Sequence, residues 1–121
     1  PADGPEAEQA VFAAAEYSGP VYLRFGRGGV PVIHGEDYQF KIGKAEVLKD
    51  GSDVTIIACG VMVAETLEAA GLLAQEGIKA RVINMTTVKP LDTDIVKAAA
   101  RETGAIVTAE ENLSLATVRC R

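Results

Sequence analysis

Tryptophan is absent from this chain, histidine occurs once and cysteine only twice. Cys59 and Cys120 lie far apart, with no partner ligands at metal-binding spacing, so neither a disulfide framework nor a CxxC site is expected. The chain reads as a reduced, cytoplasmic protein in which Cys59 is a small buried apolar residue. No stretch approaches the roughly 20 apolar residues of a membrane span, and no charged-then-apolar secretory leader opens the sequence. Positive charge is also short. Twelve Lys and Arg face seventeen Asp and Glu, for a formal net charge of -5, which argues against a nucleic-acid partner because that partner needs a basic footprint. The phosphate-cradling patterns GxGxxG and GxxxxGK[ST] are missing as well.

What is present fits one modest core. The 121 residues are 48% apolar, about the size of one domain. Asp3 suits a helix N-cap, Pro5 the first turn, and Glu6 stands three residues after Asp3 as in a capping box. Ala7, Ala10, Val11, Ala14 and Ala15 then share one face, and Gly19-Pro20 stops the helix. A strand is expected over 21–25, with Val21, Leu23 and Phe25 on one face and Tyr22 and Arg24 on the other. Residues 26–39 are punctuated by glycine and proline and read as a linker.

Beyond the linker, "KDGSD" between two β-prone runs predicts a hairpin of strands 41–48 and 54–59. The first run is half wet, as on a sheet edge, while VTIIAC suits a strand covered on both faces. A helix over 61–76 follows, with Val63, Leu67, Ala70 and Ala74 inward and Gly77 as its stop. Next come a strand over 80–84, a helix over 93–102 after Pro90 and Asp92, and a strand over 105–109. This alternation predicts an α/β fold with helices on both faces of a mostly parallel sheet, an αβα sandwich with one antiparallel edge strand. The short tail "NLSLATVRCR" supplies no final helix to cover the last strand.

Several residues could carry chemistry. Gly60 opens the strand-to-helix turn, where free N–H groups can hold an anion, though a plain tight turn explains it as well. His34 reads as a surface or packing residue before a catalytic base. Glu110 and Glu111 follow the last strand at the end where α/β folds bind ligands, but neighbours on an extended chain point apart. In "VYLRFGRGGV", Arg24 sits within the expected strand and reads as a carboxylate partner. Arg27 lies beyond it on glycine-flanked backbone, from which its planar fork could grip an anion or simply face solvent.

The blocks "GPVYLRFGRGGVPVI", "IGKAEVLKDGSDVTIIACGVMVAETLEAAGLLAQEGIKARVINMTTVKPLD" and "ARETGAIVTAEEN" resemble, in order, the C-terminal section of transketolases, especially those encoded as two chains. The same domain occurs in 1-deoxyxylulose-5-phosphate synthase and in the beta subunits of 2-oxoacid dehydrogenases. The resemblance implies that residues 1–30 are the last helix and strand of a pyrimidine-binding domain, 31–39 the interdomain linker, and 40–121 the C-terminal domain without its last helix. It implies a parent enzyme that moves a two-carbon ketol unit between sugar phosphates with thiamine diphosphate and Mg2+. Cofactor and catalytic residues would lie on the remaining domains, so this chain holds no catalytic, cofactor or metal residue of its own. It would be inactive alone and would pack against an N-terminal section or a second copy. Arg27 matches the position that contacts the substrate phosphate. The dehydrogenase reading would leave Arg27 with no anion, and a non-catalytic assembly module would use the uncovered sheet instead. Thr86 and Asn112 depart from the family, since both stand where many relatives carry histidine.

Overall fold

A computed structural model describes residues 1–111. These form helix α1 (Gly4–Glu16), strands β1 (Glu46–Lys49) and β2 (Val54–Ala58), helix α2 (Met62–Gln75), strand β3 (Ala80–Asn84), helix α3 (Thr93–Glu102) and strand β4 (Ile106–Ala109). The sheet order is β1-β3-β2-β4. β2 runs parallel to both β3 and β4, and β1 pairs antiparallel with β3. The mixed α/β sheet with one antiparallel edge is therefore as expected, but the hairpin is not: β1 skips β2 and pairs with β3. Crossing one strand means travelling roughly 10 Å, which the four residues between β1 and β2 can span.

The "KDGSD" segment is what makes this crossing. It passes so close to the start of β3 that a Cβ on Gly51 would lie 2.4 Å from the Ala80 carbonyl carbon and 2.5 Å from both Arg81 N and Lys79 O. Asp53 then ties the segment down. Its N–H donates to the Lys79 carbonyl at 3.0 Å, its carboxylate accepts from Lys79 N–H at 2.7 Å, and its carbonyl accepts from Gly104 N–H at 3.1 Å. Turn-like residues were thus needed for a close backbone approach, not for a two-strand hairpin.

Alternation along the strands builds the layers. Ala70 of α2 packs with Ala80 and Val82, and Leu48, Val54 and Ile56 flank them. Thr55 faces the other way and bonds the Thr103 hydroxyl at 2.9 Å, just past α3, while Arg81 reaches Glu102 at 2.7 Å. So α2 and α3 cover opposite faces, as right-handed crossovers require when β3 and β4 flank β2. Asp92 caps α3, its carboxylate accepting from Ile95 N–H at 3.4 Å. Gly77, at φ 81°, closes α2. Of the expected inward set of α2, Ala74 is exposed instead.

No strand forms at 21–25; the segment runs as irregular chain with Val21, Tyr22 and Phe25 exposed. The segment pairs with neither edge strand of the described sheet, β1 or β4, and an extended segment without a paired neighbour is not held as a strand. Residues 41–44, placed in the edge strand by pattern, form a turn instead, with Gly43 at φ 80° and Lys44 N–H on the Lys41 carbonyl. β4 is exposed along most of its length, Val107 by 50%. The tail from Asn112 lies outside the described residues.

Candidate functional site

Two places gather functional side chains. The first is a groove of about 830 Å³ at the C-terminal ends of β2 and β4, bounded by α1, residues 20–26, Cys59–Val61 and the chain after β3. This is the end of an α/β sheet where ligands usually bind. Gly60 stands in it at φ 58°, a left-handed turn that favours glycine. Cys59 is half-buried, and burial pushes its thiol up, with the Glu110 charge adding in the same direction. That makes it a poor nucleophile. Arg24, Glu6, Glu110 and Glu111 also line the groove.

Arg24 faces this groove and Arg27 does not line it. None of the ion pairs among the described residues involves either arginine, the carboxylate partner expected for Arg24 included. Arg27 is exposed, and a Cβ at Gly28 or Gly29 would meet nothing within 4 Å. Its surroundings are open, as an outward-reaching anion ligand needs. Glu110 and Glu111 are exposed at the end of β4.

The second place is a buried polar knot. Asp3 caps α1 with Oδ1, accepting from Glu6 N–H at 3.0 Å, while its Oδ2 accepts from Ile33 N–H at 2.9 Å and His34 N–H at 2.8 Å. Glu6 does not reach back to the Asp3 N–H as a capping box would. Its Oε2 instead accepts from Ala2 N–H at 3.1 Å and from Asn84 Nδ2 at 2.8 Å, joining α1 to β3. His34, expected at the surface or in packing, is buried. Its Nδ1 stands 2.9 Å from Asp3 Oδ1 and its Nε2 3.1 Å from Glu46 Oε2 on β1. Tyr38 stacks on the ring at 3.9 Å, tilted by 32°. Burial, then the charges of Glu6, Glu46 and Asp3, push the Tyr38 hydroxyl far above its ordinary range. Burial on its own would raise the Asp3 carboxyl, and that is the largest single influence. The Glu6 N–H, the His34 ring and the His34 and Ile33 N–H groups together outweigh it and hold the carboxyl below its usual value.

In the sequence, Asp3 and Glu6 read as a helix start and His34 as a lone linker residue. Only the fold brings them together, because thirty residues of chain separate Asp3 from His34. Thr86 spends its hydroxyl on the Lys44 carbonyl.

Residues 43–118 match the family model of the transketolase C-terminal domain. The chain belongs to the transketolase family. Among its relatives, one of the subunits of an apulose-4-phosphate transketolase from Phocaeicola vulgatus is 42% identical over 113 residues, which is 93% of this chain and 36% of that protein. The 1-deoxy-D-xylulose-5-phosphate synthase of Heliobacterium modesticaldum is 48% identical over 115 residues, 93% of this chain and 18% of that protein. A solved structure described as a split gene transketolase, inactive beta4 tetramer, superposes with a TM-score of 0.90 at 51% identity, covering 93% of this chain and 37% of that one. The chain thus spans little more than a third, or less, of the length of these relatives. The fold is that of the transketolase C-terminal domain, and the resemblance seen in the sequence is borne out along nearly the whole chain. No helix among the described residues is long and apolar enough to cross a membrane.

Proposed function

We propose that this chain supplies the C-terminal section of a split transketolase, an enzyme moving a two-carbon ketol unit between sugar phosphates. The observation that carries the reading is the 0.90 superposition at 51% identity on a split gene transketolase over 93% of the chain. In this reading residues 1–30 close the neighbouring pyrimidine-binding domain, 31–39 link, and 40–121 form the C-terminal domain. The exposed apolar surface of the N-terminal arm and of β4 supports burial against an N-terminal section or another copy.

The described groove sets Glu6, Glu110 and Glu111 beside Arg24 and Lys89, a lining of mixed charge without the phosphate-cradling glycine patterns. The carbanion chemistry belongs to the thiamine diphosphate of such an enzyme, held by other parts of the enzyme, and this chain contributes placement. Arg27 anchors the substrate phosphate in the complete enzyme, a role supported by its exposure, its glycine flanks and its lack of an ion pair among the described residues. A guanidinium offers two parallel charge-assisted bonds to a phosphate.

The test is Arg27→Ala in the complete enzyme. The KM for a phosphorylated acceptor should rise on the order of tenfold or more, equivalent to the loss of a charged hydrogen bond, while an unphosphorylated acceptor is little affected. Equal effects on both acceptors would remove Arg27 from the phosphate site. A second reading, the same domain of a 1-deoxy-D-xylulose-5-phosphate synthase, is favoured by the 48% identity to that enzyme. Assaying the complete enzyme for formation of 1-deoxy-D-xylulose 5-phosphate separates the two.

A further inference from the structure

The geometry points to a divalent-cation site in the buried knot, with Asp3, Glu6 and His34 as ligands and Glu46 as the group that orients the histidine. One ligand atom from each of the three lies within 4.8 Å of the others, so rotamer-scale adjustment can gather them around an ion at about 2.0–2.2 Å. All three residues are at least nine-tenths buried.

Three observations beyond that clustering point to a cation. First, buried acceptor atoms lack donors. Glu6 Oε1 and the side-chain oxygen of Asn84 have no hydrogen-bond partner among the described residues, although Asn84 is fully buried and its amide nitrogen is already against Glu6. Orphaned oxygens of this kind cost free energy unless a donor or cation meets them. Second, the histidine is arranged as metal-bound histidines are. Nε2 pairs with the Glu46 carboxylate, the partnership that fixes a tautomer and leaves the other nitrogen as a lone pair for a metal. That other nitrogen, Nδ1, makes no aligned hydrogen bond even though it lies 2.9 Å from Asp3 Oδ1. With Nε2–H turned to Glu46, Nδ1 and Asp3 Oδ1 face each other as lone pairs, a gap that a proton or a cation fills. Third, charge does not balance. Asp3, Glu6 and Glu46 crowd one histidine, and no lysine or arginine forms an ion pair with any of them among the described residues.

The N–H bonds already made to Asp3 and Glu6 do not fill these carboxylates, since each pair of oxygens offers about four lone-pair sites. One imidazole nitrogen with two carboxylates suits Mn2+, Zn2+ or Co2+ over Ca2+, which takes oxygen ligands alone. Such an ion would clasp the start of α1 and the linker at residue 34 to each other and, through Glu46 and Asn84, to β1 and β3. It would be a structural ion, away from any reacting group. The inference rests on this chain's own residues and stands whichever parent reaction is correct.

The test is calorimetric titration of the EDTA-treated chain with MnCl2, an ion that thiolates hold weakly and that keeps Cys59 out of the measurement. One Mn2+ per chain and a midpoint of thermal unfolding that rises with MnCl2 are expected. His34→Gln should weaken binding by about 100-fold, and Glu46→Gln by about tenfold, the range for loss of an orienting partner. No binding of Mn2+ or Zn2+ by the unaltered chain at millimolar concentration overturns the site, and leaves a proton on His34 as the group bridging Asp3 and Glu46. Undiminished binding in a folded His34→Gln chain, or Ca2+ binding as tight as Mn2+, overturns it equally. If His34→Gln does not fold, the unaltered chain and Glu46→Gln still decide the matter.

Discussion

The sheet unit, residues 46–109, and the N-terminal arm, residues 1–34, are held by different forces. In the sheet unit Val63, Ala70, Val82, Ile83 and Ala99 are fully buried, and the stabilisation is apolar burial, which is non-directional and spread over many contacts. In the arm the buried set includes Asp3, Glu6 and His34, while Phe12 is 64% and Tyr22 86% exposed. Its attachment combines a small apolar contact, Ala2 against Ala58 and Val63, with a few directional bonds, to Asn84 and to Glu46. A packed core loses stability in proportion to what is removed. A polar anchor fails when one partner or one charge is lost, because the remaining partner is left buried and unpaired.

The contrast predicts a graded set of outcomes. The largest should come from the sheet. Ile83→Ala removes a fully buried side chain on the α3 face of β3 and should cost about 4 kcal/mol, read as a drop in the denaturation midpoint with the slope unchanged. Gly51→Ala comes next, at about 3 kcal/mol, since the new methyl would press on the backbone of Lys79–Arg81 and no side chain can give way. If Gly51→Ala were silent, the crossing of β1 over the start of β3 would be drawn wrongly and a hairpin would again be open.

Much of the sheet unit was legible in the sequence because its signals are local. Asp92 and Gly104 bracket α3, Gly77 closes α2, and the apolar runs of β2 and β3 need no distant information. The partner of β1 was not legible. "KDGSD" carries the same residues whether it turns a hairpin or squeezes past a neighbouring strand, and only Gly51, with its backbone contacts, distinguishes the two. The strand expected at 21–25 has the right alternation but pairs with neither edge of the described sheet, and pairing is a property of the rest of the fold. The polar knot was invisible for a related reason. Asp3 and Glu6 satisfied a helix-start pattern completely, so nothing in the sequence asked for a third partner, and His34 had no neighbour of its own to announce it. Arg27 stood out by its glycine-flanked place and was given its phosphate role through resemblance; its surroundings are open.

The arm should respond more to chemistry than to volume. Asp3→Ala removes the cap and the acceptor for two linker N–H groups, at a cost of about 2 kcal/mol. The unaltered Asp3 also makes the arm acid-sensitive. Its folded carboxyl titrates below the ordinary value, so its contribution is whole above the unfolded value of about 3.9 and is lost as pH falls through the lower, folded value. Amide exchange in α1 should therefore accelerate in acid before exchange in β2 and β3 does, and Asp3→Asn should flatten that difference. Simultaneous loss of protection in both regions would mean that arm and sheet are one cooperative unit.

The smallest effect is expected where the apolar surface is largest. Phe12→Ser and Tyr22→Ser alter side chains that mostly face solvent in the chain by itself, so each should shift stability by less than about 0.5 kcal/mol. In the assembled enzyme proposed above, the same faces would be covered, and burying an aromatic side chain is worth about 2 kcal/mol. Each substitution should then weaken association by a factor of roughly 30, the equivalent of that energy, as read by sedimentation of the chain with its N-terminal section. A neutral result in both measurements would show that these aromatics are ordinary surface, and would leave the arm held by its polar anchors and the Ala2 contact.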